Sequence, residues 1–178
     1  MYSEENKKKI VLIGLDKAGK TSIVQSLQGI RSLTAFNSIN PTKGLNSIKF
    51  QVMETKYLIL DLGGQEAYRS SHLKKFDEYT LEANKVIFVI DIQDSKRYDL
   101  SVDYLKTITT LLKKNPKDIE LSIFLHKNDP DFNAKEKELY EDLSLKLTER
   151  IKEIIPEEMN YSIFKTSIYT VFEKSKID

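Results

Sequence analysis

The sequence lacks cysteine altogether and has only two histidines and six glycines among its 178 residues. Without cysteine the protein cannot form disulfides, thiolate zinc sites, a thiol nucleophile or a prenylated tail, and two histidines are too few for a His-rich metal site. No charge sign dominates, because 28 Lys and Arg face 27 Asp and Glu. We therefore expect no nucleic-acid partner, since proteins that bind nucleic acids usually carry an excess of positive charge.

Signals for export and for membrane attachment are missing as well. No stretch approaches the roughly 20 apolar residues that a membrane-spanning helix needs, and residues 1–9 are polar, unlike a secretory signal. Tyr2 stands where N-myristoylation requires glycine. We expect a cytoplasmic protein with no intrinsic membrane anchor, which would reach a membrane only through a partner.

Short apolar runs alternate with longer amphipathic stretches along the chain. The runs that are typical of strands lie at residues 10–13, 48–52, 57–60, 86–90, 121–125 and 161–164. Apolar residues with helical spacing lie at 20–27, 102–112 and 139–154, and a short last helix is expected at 170–177. This pattern predicts an α/β fold in one domain, residues 1–178, with a polar tail at 1–8. Its six-stranded sheet is mostly parallel, with one antiparallel strand and helices on both faces.

The first chemical motif is Gly14-Leu15-Asp16-Lys17-Ala18-Gly19-Lys20-Thr21, which matches G-x-x-x-x-G-K-[ST] between a predicted strand and a predicted helix. The glycines let backbone N–H groups wrap a phosphate, and the helix N-terminus adds partial positive charge. Lys20 would reach the terminal phosphates, and the Thr21 hydroxyl would ligate Mg²⁺. The alternative is a chance glycine turn, which this strand–helix context disfavours.

A second motif, Asp61-Leu62-Gly63-Gly64-Gln65, follows the predicted strand at 57–60. An acid at a strand end can hold Mg²⁺ through a water, the N–H of Gly64 can face a γ-phosphate, and Gln65 can orient an attacking water. The alternative is a tight turn with an ordinary surface glutamine. A third motif, Pro41-Thr42, lies in a loop where a threonine hydroxyl can ligate Mg²⁺, although such a dipeptide alone is usually only a loop.

Two further motifs follow the last two predicted strands. In His126-Lys127-Asn128-Asp129, the Asp129 carboxylate could accept hydrogen bonds from N1–H and the 2-amino group of guanine, a donor pair that adenine lacks. The stem of Lys127 could lie over the purine ring. In Thr166-Ser167-Ile168, a backbone N–H could reach O6 of the base. A charged or polar turn at a strand end is the plain alternative for both.

The order, spacing and context of these five motifs resemble those of the small Ras-like GTPases over essentially the whole chain. The phosphate loop, Pro41-Thr42-Lys43-Gly44 and residues 61–65 resemble the Arf/Sar branch of that superfamily. The motifs that begin at His126 and Thr166, together with the long segment 66–85, resemble the Rag/Gtr branch.

This resemblance implies a P-loop NTPase G domain that binds GTP or GDP with Mg²⁺ as cofactor, with switch I at residues 37–46 and switch II at 63–81. It also implies effectors, exchange factors and GTPase-activating proteins as partners. The implied catalytic residue is Gln65, and the implied metal ligands are Thr21, Thr42 and Asp61. The implied nucleotide-binding residues are Gly14, Asp16, Lys17, Ala18, Gly19, Lys20, Thr21, Ser22, Thr42, Gly64, His126, Lys127, Asp129, Ser167 and Ile168.

The sequence departs from the family pattern at several positions. His126 replaces the usual Asn of the base motif, Leu60 replaces a common Trp, and the polar residues 2–9 replace the amphipathic helix of Arf proteins. None of the four arginines lies in switch I just before Thr42, so we expect slow intrinsic hydrolysis and acceleration by a partner. We expect His72 to be exposed on a mobile switch II.

Three functions remain open from the sequence. The first is a GTP-hydrolysing molecular switch of the trafficking or nutrient-signalling type. The second is a scaffold module that binds GDP or GTP without hydrolysing it, and the presence of Gln65 disfavours this. The third is a P-loop ATPase or small-molecule kinase, which Lys127 and Asp129 disfavour.

Overall fold

The computed structural model of the protein describes residues 6–29, 39–115 and 118–169. The strands of these residues are β1 Asn6–Gly14, β2 Leu45–Val52, β3 Thr55–Leu62, β4 Lys85–Asp91, β5 Glu120–His126 and β6 Tyr161–Thr166. Their α-helices are α1 Lys20–Leu27, α2 Glu66–Lys74, α3 Phe76–Thr80, α4 Tyr98–Lys114 and α5 Ala134–Ile154. A short 3₁₀ turn, Ser95–Arg97, precedes α4.

The strands form one six-stranded sheet in the order β2-β3-β1-β4-β5-β6. Only the pair of β2 and β3 is antiparallel, with Ile48 opposite Ile59, and the remaining pairs are parallel. The predicted sheet is therefore confirmed. Because β1 lies between β3 and β4, the chain leaves β1 at a switch point of the sheet, where ligands of α/β proteins bind beyond the carboxyl ends of the strands.

Two apolar layers enclose the sheet, which confirms helices on both faces. Leu12 points to one face, where it packs in a cluster with Ile23 of α1. Its neighbours in β1 point to the other face, as alternation along a strand requires, and that larger cluster includes residues of α4 and α5 such as Leu105 and Leu147. The two apolar layers hold the strands in place, and the strands in turn position the loops at the carboxyl edge of the sheet.

Local chemistry sets the ends of α5. The Asn133 side chain accepts hydrogen bonds from the backbone N–H groups of Lys135 (3.1 Å) and Glu136 (3.0 Å), while the Glu136 carboxylate accepts one from the N–H of Asn133 (3.1 Å). This reciprocal arrangement is a capping box, which satisfies N–H groups that a helix start leaves unpaired. The helix ends at Ile154, just before Pro156, as predicted.

Three details differ from the sequence-based expectations or lie beyond the described residues. Residues 6–8, expected in a polar tail, belong to β1. The segment 63–81 contains α2 and α3, and its His72 is 3% exposed, so the expectation of an exposed side chain is wrong. Its ring packs between Tyr68 and Tyr79, with centroid distances of 6.4 and 5.7 Å. The expected helix at 170–177 lies outside the described residues.

Within the three described ranges, every helix is too short or too polar to cross a lipid bilayer.

Candidate functional site

The loop between β1 and α1 encloses the side chain of Lys20. A Cβ at Gly14 would collide with the carbonyl oxygen of Val89, so the loop leaves β1 in close contact with β4. Lys17 and Gly19 adopt left-handed backbone conformations, with φ of 61° and 93°. Lys20 is only 5% exposed. The loop therefore holds a buried ammonium at the start of a helix.

The Lys20 ammonium has an unusual environment for a charged group. Its Nζ donates to the carbonyl oxygens of Gly14 (3.0 Å) and Leu15 (2.7 Å). Burial lowers the pKa of Lys20 to about 8, and the carboxylates of Asp61 and Asp16 only partly oppose that shift. An ammonium has three N–H donors, and two of them are used here. An anionic ligand at the third would compensate the desolvated charge.

Three oxygen-bearing side chains converge beside this ammonium. The Thr21 hydroxyl donates to Oδ2 of Asp61 at 2.7 Å, and the Thr42 hydroxyl lies 2.9 Å from the Thr21 oxygen and 3.2 Å from the same Asp61 oxygen. The other carboxylate oxygen, Oδ1, is buried without a hydrogen-bond partner among the described residues. Burial raises the pKa of Asp61. Oxygen donors of this kind are those that Mg²⁺ prefers.

The backbones of three separate loops touch at this point. The N–H of Gly63 donates to the carbonyl of Gly44 at 2.7 Å, and a Cβ at Gly63 would collide with the carbonyl of Thr42. A Cβ at Gly64 would collide with the backbone of Leu15 and Asp16. Only glycine therefore allows the segment after β3 to lie against both the phosphate loop and the loop that carries Thr42.

A cleft of about 220 Å³ opens between these loops. It is lined by ten of the residues predicted for the site, which are Asp16, Lys17, Gly19, Lys20, Thr21, Ser22, Thr42, Gly64, Gln65 and Lys127. The predicted residues that do not line it are Gly14, Ala18, Asp61, His126, Asp129, Ser167 and Ile168. Ala18 is buried in the core, so its side chain points away from the cleft.

His126 joins the phosphate loop to the end of β6. Its ring is 2% exposed and lies against Gly19, where a Cβ would come within 2.5 Å of Cδ2 and 2.9 Å of Nε2. Nδ1 of the ring pairs with the Thr166 hydroxyl at 2.9 Å. Burial lowers the pKa of His126 to about 4, so the ring is neutral at pH 7. His126 thus packs directly against the phosphate loop.

Asp129 and Lys127 follow the end of β5, and of the two only Lys127 lines the cleft. The Ser167 hydroxyl donates to Oδ1 of Asp129 at 2.5 Å. Nζ of Lys127 binds Oδ2 of Asp91 at 2.6 Å, which holds the charged end of this residue beside the cleft that it lines. Ile168 follows Ser167 in the loop after β6 and is half-buried. The last two predicted motifs therefore meet at the carboxyl edge of the sheet.

Arg97 also belongs to this region, although no sequence motif predicts it. Its guanidinium donates to the carboxylate of Asp16 (2.8 Å), to the carbonyl of Asp16 (3.1 Å) and to the carboxylate of Asp94 (2.5 Å). Arg97 is separated from Asp16 by 81 positions, so no local pattern shows the contact. The available signal was its place in the loop after β4, at the edge of the sheet where ligands bind.

A parallel sheet whose first strand leads through such a loop into a helix, with a cleft beside a buried lysine, defines a P-loop nucleotide-binding protein. Comparisons with known proteins identify the family. The sequence profile of the ADP-ribosylation factor (Arf) family matches residues 1–174. The chain therefore belongs to the Arf family, whose members are small GTPases that bind GTP and GDP.

Individual relatives agree with this assignment. The chain is 30% identical to human ADP-ribosylation factor-like protein 9 over 144 residues, which cover 81% of this chain and 71% of that protein. It is 33% identical to rat ADP-ribosylation factor-like protein 5A over 121 residues, which cover 68% and 62% of the two chains. The Arf side of the predicted resemblance is confirmed, and the Rag/Gtr side stays a prediction.

Two solved structures share the fold. The Arl6 BBS3 small GTPase from Trypanosoma brucei, solved with the bound nucleotide analogue GppNp, has a TM-score of 0.60 at 23% identity and covers 92% of this chain and 88% of its own. The mammalian SRP receptor has a TM-score of 0.68 at 17% identity and covers 90% and 92%. The predicted fold class is thus confirmed.

Removal of the Arg97 guanidinium should weaken nucleotide binding. In Arg97→Ala, Asp16 loses two hydrogen bonds that hold the phosphate loop, and bonds to a charged group contribute about 1.5–3 kcal/mol each. We expect the Kd for GDP to rise at least about tenfold, as measured by titration with a fluorescent GDP analogue. The matched control is Arg150→Ala, which breaks only the exposed Arg150–Asp99 ion pair. Equal Kd values for the two variants would contradict the role assigned to Arg97.

Protonation of His126 should destabilise the fold at mildly acidic pH. Its folded-state pKa of about 4 lies below its ordinary value of 6.5, so the unfolded chain binds more protons between these values. The stabilising effect of the neutral ring is complete above pH 6.5 and is lost as the pH falls toward 4. When the pH is lowered from 7.5 to 5, we expect the unfolding free energy of the wild type to fall by about 2 kcal/mol more than that of His126→Asn. Urea unfolding at both pH values measures this, and parallel losses would refute it.

Proposed function

We propose that the chain is a Mg²⁺-dependent molecular switch that binds GTP, hydrolyses it slowly to GDP and presents switch I and switch II to effectors. The observation that carries this proposal is the buried ammonium of Lys20 beside the Thr21, Thr42 and Asp61 oxygens. A lysine enclosed by its own loop gains little from water, so an anion is its natural partner. A polyphosphate supplies that anion, and the oxygen cluster suits the accompanying metal.

The residues present fit Mg²⁺. Thr21, Thr42 and Asp61 would hold it, because their oxygens already lie within 3.2 Å of one another and Oδ1 of Asp61 is buried without a partner among the described residues. When bound, the cation would offset the negative charge of the phosphates. It would also keep Asp61 ionised against the effect of burial. A role as metal ligand would account for the burial of the Asp61 carboxylate, which otherwise loses its hydration at a cost in free energy.

Selectivity for guanine would rest on Asp129. Its carboxylate is fixed by Ser167, and carboxylate oxygens can accept from both N1–H and the 2-amino group of guanine. Adenine offers no such donors, so a half-buried carboxylate would lose its hydration without compensation. The Lys127 stem, held by Asp91, would cover one face of the ring. These features support a GTPase over an ATPase or kinase.

Hydrolysis would depend on Gln65 and on a partner. Gln65 lines the cleft at the start of α2, where its amide can orient a water. None of the arginines in the described residues is free to enter the cleft, since Arg69 lies 5.8 Å over the ring of Tyr104, Arg97 binds Asp16, and Arg150 pairs with Asp99. An arginine finger contributes about 10³–10⁵ in rate, and we expect an activating protein to supply it.

The contacts between switch I and switch II explain how a partner could detect which nucleotide is bound. Switch I carries Thr42 and switch II begins with Gly63 and Gly64, and the two segments meet through the bond between Gly63 and Gly44. Loss of the γ-phosphate would remove the ligand that Thr42 and Gly64 share. Loops of this kind relax when their shared contact is lost. A partner that contacts both segments would therefore distinguish GTP from GDP.

The affinity for guanine and adenine nucleotides tests the proposed function directly. We expect GTP to bind at least about 100-fold more tightly than ATP in excess Mg²⁺, because only guanine pairs with Asp129. Competition against a fluorescent GDP analogue measures both constants. In the matched variant Asp129→Asn, the preference should fall by at least about tenfold. Equal affinity of the wild type for GTP and ATP would instead favour a P-loop ATPase or kinase.

Replacement of Gln65 separates a hydrolysing switch from a passive binding module. Gln65→Leu should slow single-turnover GTP hydrolysis about 100-fold or more, because positioned groups of this kind contribute about 10²–10⁴, while GTP affinity changes little. Gln51→Leu is the control, since Gln51 is exposed on β2 and bonds only the carbonyl of Met53 at 2.8 Å. An unchanged rate in Gln65→Leu would remove Gln65 from the mechanism and favour the non-hydrolysing scaffold.

A further inference from the structure

The turn after β4 places Gln93 within hydrogen-bonding distance of Asp129, the carboxylate that would bind the guanine base. Gln93 follows the strand by two positions, and its Nε2 donates to Oδ2 of Asp129 at 3.1 Å and to the carbonyl of Lys127 at 2.8 Å. Its own backbone N–H donates to Oδ1 of Asp91 at 2.9 Å. One side chain thus bridges the ends of β4 and β5, across 36 positions of the sequence.

We propose that Gln93 is a positioning residue that orients Asp129 toward the 2-amino group of guanine, and so sets how strongly the site prefers guanine over purines without that group. This inference rests on the proposed function, because it assumes that Asp129 contacts the base. Gln93 itself is assigned no contact with the nucleotide.

Each of the two carboxylate oxygens of Asp129 accepts a hydrogen bond from a different side chain. Ser167 donates to Oδ1 and Gln93 donates to Oδ2, so a donor from each side fixes the plane of the carboxylate. A carboxylate has about four lone-pair sites, and the two bonds leave room for two donors from a base. Without Gln93, the hydrogen bond from Ser167 alone does not fix the plane of the Asp129 carboxylate, which can then rotate. Oδ2 would leave the position in which it can accept the second hydrogen bond from the base.

Gln93 also contacts the backbone that carries Asp129. Lys127 adopts a left-handed conformation with φ of 64°, which is unfavourable for a residue with a side chain. Three contacts hold this turn: the bond from Gln93 to the Lys127 carbonyl, the ion pair of Lys127 with Asp91, and the bond from the Asn128 N–H to the Thr166 carbonyl at 3.0 Å. Gln93 contributes one of these three contacts, and it also holds the side chain of Asp129, two positions after Lys127.

Gln93 is an exposed residue on a surface turn, outside both apolar layers of the fold. Its replacement by a smaller residue therefore leaves no cavity in the core, and changes at such positions usually have little effect on stability. A change in base preference can then be assigned to the site rather than to unfolding.

The experiment compares GDP with inosine diphosphate, which differs from GDP only in lacking the 2-amino group. Both Kd values are measured for the wild type, Gln93→Ala, Gln93→Glu and the control Gln51→Ala, by competition against a fluorescent GDP analogue. We expect the preference for GDP to fall about tenfold in Gln93→Ala, mainly through weaker GDP binding. It should fall at least as far in Gln93→Glu, which places a second carboxylate against Asp129. Gln51→Ala should match the wild type.

Each other outcome overturns the inference. An unchanged preference in Gln93→Ala shows that Asp129 keeps its orientation without Gln93. An equal loss of affinity for both nucleotides shows that Gln93 only maintains the loop. The wild-type protein tests the proposed function separately, because a failure to prefer GDP over ADP would overturn guanine recognition itself and this inference with it.

Discussion

The ammonium of Lys20 is the group around which the carboxyl edge of this sheet is organised. It is buried inside its own loop and held by the carbonyls of Gly14 and Leu15. A desolvated cation of this kind costs free energy unless it is paired, and burial lowers the pKa of Lys20 to about 8. A bound polyphosphate, as proposed above, would offset that cost by pairing with the ammonium.

The neighbouring elements hold this loop from several sides. Arg97 binds Asp16 from the start of α4, His126 packs on Gly19 from the end of β5, and Gly64 lies against Leu15 from the end of β3. These contacts come from strands that are neighbours in the sheet and far apart in sequence. The parallel arrangement is therefore what makes the site possible, because it brings the carboxyl ends of the strands to one edge.

Much of this arrangement could be predicted from the sequence, because its signals are local. Apolar runs marked the six strands, and the spacing of Gly14, Gly19 and Lys20 predicted a phosphate loop. The short polar turn between the runs at 48–52 and 57–60 indicated the one antiparallel pair. These features depend on residues that are adjacent in the chain, and the regular geometry of strands and helices converts such spacing into structure.

The rest depends on contacts that no local pattern contains. The bonds of Arg97 and Gln93 to the site cross 81 and 36 positions, and their partners are set by the sheet order rather than by spacing. The burial of His72 was not predicted, because most residues of α2 are polar. The rings of Tyr68 and Tyr79 pack against the His72 ring and cover it. Long-range partners of single polar residues are thus the part of a site that one sequence predicts least well.

The identity of the nucleotide carried by the purified protein tests the central claim most directly. The protein is purified in Mg²⁺ without added nucleotide and denatured, and the released compounds are separated by chromatography. The account predicts GDP or GTP at close to one equivalent per chain. An adenine nucleotide in its place, or a protein that stays empty even after incubation with excess GDP, would contradict it.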